Sequence, residues 1–258
     1  MLRLLKRNLV KRFCSLKTAV LFLVGVGVMF TQYQHITGEM GIQMVYIILE
    51  GPLDVFIQLV SKNNSSLIVT MVLAIMVLVF VESPVVNQDD RFFIMRVGKK
   101  KWIVAEVLGI LCTSMIWIFF ITLMGCISNF NHMDWTDWRI YHNNLYCVIV
   151  YFLAFSCIGL LILLFHLWNI KALGTAVMVT LFLLEYFILD VLPNNIAAFD
   201  KDANTQSILS GIKKYTFMNR METGSQSGEF VFSVIYFSMI LILLAGVNIR
   251  YARRHEIG

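Results

Sequence analysis

Charge is scarce in this chain. Only 14% of its 258 residues are Asp, Glu, Lys or Arg, against roughly 25% in an ordinary soluble domain. That shortage, with 59% hydrophobic residues and 20 phenylalanines, excludes a domain surrounded by water and points to lipid. Several chemistries are missing as well. No G-x-x-x-x-G-K-[ST] loop is present to cradle a nucleotide, so any work needing ATP must draw on another chain. No H-E-x-x-H motif or paired His/Asp cluster at membrane depth is present, which argues against an intramembrane metalloenzyme. The five cysteines, at 14, 112, 126, 147 and 157, show no C-x-x-C spacing and read as buried thiols rather than a disulfide framework.

Long apolar runs fill the space left by the missing charge. A helix needs about 20 apolar residues to cross ~30 Å of hydrocarbon. Runs of that kind lie at about 66–86, 102–125, 145–167, 171–190 and 229–249. A shorter sixth, 18–34, follows Lys17. The stretch 42–60 is apolar too, but Glu50, Gly51, Pro52 and Asp54 interrupt it. Carboxylates at mid-membrane are costly and Gly-Pro breaks a helix, so 42–60 reads as an outer-surface segment. The fold expected is therefore an all-α membrane protein with six transmembrane helices spread over 18–249. An amphipathic segment at 1–17 precedes them, outer segments lie at 42–60 and 191–228, and a cytoplasmic tail occupies 250–258.

The basic residues orient this plan. With six spans, 15 of the 21 Lys and Arg fall on the side that holds 1–17, 87–101, 168–171 and 250–258. The other side holds six: Lys62, Arg139, Lys201, Lys213, Lys214 and Arg220. The positive-inside rule then puts both termini in the cytoplasm, in a cell membrane, and leaves no role for nucleic acid as the reason for the net charge of +5. The basic region reaches Lys17 without a convincing cleavage site, so the amino-terminal segment reads as retained.

Within 1–17, Leu2, Leu5, Leu9, Phe13 and Leu16 recur every three or four residues, with Lys6, Arg7, Lys11 and Arg12 between them. That is an amphipathic helix suited to a membrane surface with anionic lipid, or to a cytosolic partner. Residues 87–101 make the one substantial internal cytoplasmic loop. Asp89 and Asp90 can cap a short helix beginning near Arg91, Phe92, Phe93, Met95 and Val97 give it an apolar side, and Gly98 can end it. Trp102 then reads as an interfacial anchor for the next span. So short a helix is unstable alone in water. It either docks into a groove on another protein or folds its aromatics back into lipid.

The six-span plan, the basic amino-terminal helix, the lone inner helix and the text "DDRFFIMRVGKKKWIVAEVLG" together resemble ABC-2-type transporter permeases. The likeness covers nearly the whole chain and rests more on architecture than on tight motifs. Glu106 departs from it, since these permeases often place a lysine or a neutral residue there. The resemblance implies a permease of a bacterial ABC exporter, paired with a second copy or a sister permease and served by two soluble ATP-binding subunits. Asp89, Asp90, Arg91, Phe92, Phe93, Met95, Arg96 and Gly98 would form the coupling helix, with the two phenylalanines packing and the two arginines meeting acidic groups on the ATPase. ATP and Mg2+ would sit wholly in the partner, leaving this chain with no cofactor or catalytic residue of its own. The cargo implied is a peptide or another amphiphile, antimicrobial peptides among them. A secondary transporter or a membrane assembly subunit is the alternative, although the two halves share no repeat.

A few polar residues stand inside the spans. Glu185, in "VTLFLLEYFILD", is expected either to line a translocation path or an intersubunit contact, or to bond a neighbouring helix. Glu106 can reach back to Lys99 or Lys101. Glu82 reads as a headgroup-level residue, and His166 beside Trp168 as an interfacial anchor. On the outer side, His132, Asp134, Asp137 and His142 match no metal-ligand spacing and read as part of an amphipathic segment. The insert 191–228 is expected to cap the bundle, with Tyr215 on its apolar face, or to act as a lid.

Overall fold

A computed structural model of the chain describes residues 2–13, 97–128, 138–168, 170–186, 215–217, 220 and 229–254. The expected spans 18–34 and 66–86, the outer segment 42–60 and Glu82 lie outside the described residues. Among the described residues all regular structure is helical: α1 (Leu2–Phe13), α2 (Lys99–Ser128), α3 (Trp138–Leu167), α4 (Lys171–Tyr186) and α5 (Phe230–Arg254).

Three of these, α2, α3 and α5, contain stretches long and apolar enough to cross a membrane: Lys99–Phe119, Val148–Leu167 and Phe230–Ala252. With no water in the hydrocarbon to take up backbone amides, such runs satisfy their N–H and C=O groups internally as helices. The expected spans at 102–125 and 145–167 thus lie within single helices, 229–249 does so from Phe230 onward, and the described part of 171–190 is helical through Tyr186. α2 and α3 overshoot their expected spans. Each has 30 residues, about 45 Å at 1.5 Å per residue, half again the hydrocarbon thickness. His142, read above as part of an outer amphipathic segment, belongs to the first turns of α3.

α3 is the central helix: α2, α4 and α5 all pack against it, α5 also meets α2, and α1 lies on α2. Tyr151, Phe155, Ile158 and Leu163 of α3 are fully buried beside Ile103 of α2 and Phe237 of α5. α5 is the least covered of the long helices. Val231, Ile235, Met239, Ile242 and Leu243 stand exposed along one side, as lipid-facing residues do.

Trp102 corrects an expectation. It is buried in the core, 1% exposed, instead of standing at the interface. It shares a face of α2 with Ala105, Glu106 and Ile110, and that face is covered. An indole buries more apolar area in such a seam than at the surface. Trp168 does stand exposed, edge-on to Tyr251 at a ring separation of 6.1 Å.

The connection from α3 to α4 is tight. Trp168 N–H donates to the Leu164 carbonyl, Ile170 N–H to that of Phe165, and Gly174 N–H to that of Ile170. Gly174 is buried directly against the Phe165 ring, where a Cβ would collide with the side chain. The absence of a side chain at Gly174 lets α4 approach α3 closely here.

Because consecutive helices α2 to α5 run back and forth, the start of α2, the α3–α4 turn and the end of α5 share one end of the bundle, as the Trp168–Tyr251 contact requires. That end gathers Lys99, Lys100, Lys101, Lys171, Arg250, Arg253 and Arg254, with α1 alongside it. The opposite end holds Tyr146 stacked on Phe230, centroids 4.2 Å apart.

Candidate functional site

The residues expected to engage a soluble partner come first. Asp89, Asp90, Arg91, Phe92, Phe93, Met95 and Arg96 lie outside the described residues. Gly98 is described, and its φ is +89°. Val97 before it and Lys99 after it are both helical. Gly98 therefore stands between the helical residue Val97 and the start of α2 in a backbone conformation that L side chains rarely adopt. Its carbonyl accepts the first bond of α2, from Trp102 N–H at 3.1 Å, which makes it the amino-terminal cap of that helix as well.

Directly above this turn, α1 is fastened to α2. Asn8 Nδ2 donates to Glu106 Oε1 at 2.6 Å, and both side chains are buried, 5% and 3% exposed. Leu5 and Leu9 are half-buried beside this contact, while Lys6 and Val10 are exposed. The amphipathic stripe is real, but its covered face centres on a polar residue that periodicity passed over. Sequence reasoning sent Glu106 back to Lys99 or Lys101; the contact the structure adds comes from a different helix. A polar group buried this way is stable only if hydrogen-bonded, which explains why an amide stands opposite the carboxyl.

Glu185 lies at the other end, in the last described turn of α4, and is half-buried. It lies near the Tyr236 phenol of α5, as does Arg220. Arg220 belongs to the outer insert and was legible in the sequence only as one of six outer charges. The Arg220 N–H donates to the Thr216 carbonyl in a helical turn, and that turn is seated on α5. Phe217 meets Phe237 edge-on at 5.0 Å, and the Tyr236 hydroxyl donates to the Tyr215 carbonyl at 3.4 Å. These described residues of the insert therefore pack on the outer end of α5. Arg220 itself is 1% exposed, and its Nη1 donates to Glu229 Oε2 at 2.7 Å. Glu229 caps α5, its carbonyl accepting from Ser233 N–H.

Between the two ends runs a polar seam that sequence reasoning also missed. Asn248 of α5, fully buried, donates from Nδ2 to the Leu160 carbonyl of α3 at 2.9 Å and to Leu244 at 2.8 Å. Cys157 Sγ donates to the Phe237 carbonyl at 3.4 Å, so this thiol is buried and free, as expected. The one available signal for Asn248 was a lone amide in "LILLAGVNIRY". Among the described residues no group of three His, Cys, Asp or Glu is placed to hold a metal ion.

Comparison with family models, with curated proteins and with solved structures finds no match to this chain.

Proposed function

We propose that this chain is the permease subunit of an ATP-binding cassette exporter, a six-span membrane protein that works with two soluble ATP-binding subunits and a second permease. The observation that carries the reading is the turn at Gly98: a helical residue, a left-handed glycine, then a long apolar helix whose first turns are clasped by an amphipathic amino-terminal helix. A short helix presented through such a turn is a handle on α2, and α1 would move with it through Asn8 and Glu106.

In this reading hydrolysis occurs in the partner. Closure of the two ATPases displaces the segment Asp89–Gly98, and the displacement passes into α2 and α1 as a rigid unit. Cargo then moves because the two bundle states bind it differently. The concentration of basic residues at the end holding Gly98 supports a cytoplasmic location for that end and for both termini, in a bacterial plasma membrane. A peptide or amphiphile is the cargo class, and Glu185 lines its path or a contact between permeases.

Whether a neighbouring gene encodes a soluble protein with a G-x-x-x-x-G-K-[ST] loop is the first test, and co-expression of this chain with that protein is the second. Replacing Phe92 and Phe93 by alanine should abolish co-purification of the ATPase while leaving membrane insertion intact. Unchanged stoichiometric binding would end the coupling-helix assignment, and full transport by the chain without any ATPase would point to a secondary transporter. Separately, Glu185→Gln should reduce transport more than expression.

A further inference from the structure

Arg220 is the side chain whose surroundings leave most unexplained. It is a guanidinium, with five N–H donors in a rigid planar fork. Nη1 is bound to Glu229, but Nε and Nη2 are buried without a hydrogen-bond partner among the described residues. Those two atoms form the side-on edge of the guanidinium, the fork that matches the two oxygens of a carboxylate or phosphate. The edge is held in place from its flat face. The Phe232 ring lies 4.2 Å from the guanidinium carbon, and the Tyr215 ring lies 5.8 Å from it. Aromatic faces attract a cation and fix its plane, while offering nothing to the N–H groups at its rim.

Two charged donors left unpaired where water is excluded are among the most costly features a fold can carry, and in native structures they mark a missing ion, water or ligand. The position suits a ligand. Tyr215 and Phe232 are exposed and the Glu229 side chain is 40% exposed, so the surroundings of Arg220 reach the surface at the outer end of a membrane-spanning helix. Glu229 takes Nη1 and balances the charge of the guanidinium, so an oxyanion at the free edge would be held by the two N–H donors of Nε and Nη2 and would compete with Glu229 for the positive charge.

We propose that the Nε/Nη2 edge of Arg220 is an oxyanion-binding site, taking the carboxylate or phosphate of a ligand whose apolar part lies over Tyr215 and Phe232. The site stands independently of the exporter reading, because it rests on Arg220 and its neighbours alone. A lipid-like amphiphile and a free anion share this chemistry and are told apart by the probe.

The test uses the full chain in phosphatidylcholine nanodiscs, with the Arg220 Nε–H resonance identified by its loss in Arg220→Lys. Dodecyl phosphate, dodecanoate and inorganic phosphate are titrated in turn. The expected result is a saturable shift of that resonance with at least one oxyanion. Shifts with dodecyl phosphate or dodecanoate alone assign an amphiphile, and an equal shift with inorganic phosphate assigns a free anion. Arg220→Lys keeps the charge but loses the fork, so affinity followed by calorimetry should fall about tenfold or more. Glu229→Gln removes the competing carboxylate and should tighten binding several-fold, an effect a merely structural arginine would not produce. No shift with any of the three probes, equal affinity in a folded Arg220→Lys protein, or unchanged or weaker affinity in Glu229→Gln would overturn the proposal.

Discussion

Asn8 and Glu106 stand 98 positions apart in the chain, yet Nδ2 of one lies 2.6 Å from Oε1 of the other inside a buried contact. This bond ties an otherwise surface-type helix to the first turns of a membrane-spanning one. Removing only the donor should be worse than removing both partners. Asn8→Ala leaves a buried carboxyl short of a donor, at a cost of about 1–3 kcal/mol. The pair Asn8→Leu with Glu106→Leu replaces polar by apolar on both sides and should recover much of that loss. Thermal unfolding in detergent checks the order: Asn8→Ala below wild type, the double variant between them. Additive losses would mean that the two side chains do not act as a pair.

The turn at Gly98 should discriminate among substitutes by backbone rather than by size. Nothing lies within 4 Å of a Cβ placed there, so space is not limiting. Its φ of +89° is. A residue with a Cβ pays roughly 1–2 kcal/mol to sit in the left-handed region, and asparagine tolerates it best. Gly98→Asn should therefore retain more stability than Gly98→Ala, with Gly98→Val the worst. Melting temperatures of the three variants, measured side by side, test that ranking. If valine matched asparagine, the left-handed conformation would not be required.

Much of this architecture was readable beforehand, and the misses share a cause. Hydropathy found α2, α3 and α5 because a helix is the only economical state for a long uncharged run in lipid. Gly98 was legible as a terminator because so few residues accept a positive φ. The hydrophobic pattern gave no warning of Asn8, Asn248 or Arg220. Each is a polar group whose partner lies far away in sequence, and periodicity describes one helix at a time. Trp102 was misassigned for the same reason, since whether its face of α2 is covered depends on which helices pack there. Asp89 to Arg96 remain an expectation from sequence, lying outside the described residues.

Gly174 offers a steric counterpart to Gly98. It is helical, with no unusual backbone angle, and its requirement comes from Phe165 of α3. Gly174→Ala should force that ring aside or push α4 off α3, with a loss of about 1–3 kcal/mol from overpacking. The loss should be relieved by Phe165→Leu in the same chain, because the smaller side chain vacates the space. A melting curve for each single variant and for the pair decides it. Failure of the double variant to recover would place the strain in the backbone instead of in the ring.

Asn248 tests how much a buried amide contributes between membrane helices. Its two donors reach Leu160 and Leu244, and its Oδ1 is buried without a hydrogen-bond partner among the described residues. The bond to Leu244 lies within α5, and that carbonyl lies within the helical ladder, so the interhelical bond to Leu160 carries the tie to α3. Polar contacts between membrane helices average about 0.6 kcal/mol, because the separated helices also find partners. Asn248→Leu removes those bonds but also the unpartnered oxygen, so the two effects oppose one another and the net loss should stay below about 1 kcal/mol. Asn248→Asp keeps the shape and replaces the donating nitrogen with an oxygen facing two carbonyls, so it should destabilise far more than leucine does. Unfolding of both variants by denaturant in mixed micelles measures the difference. Equal losses would show that neither the donor nor the crowding of oxygens governs this contact.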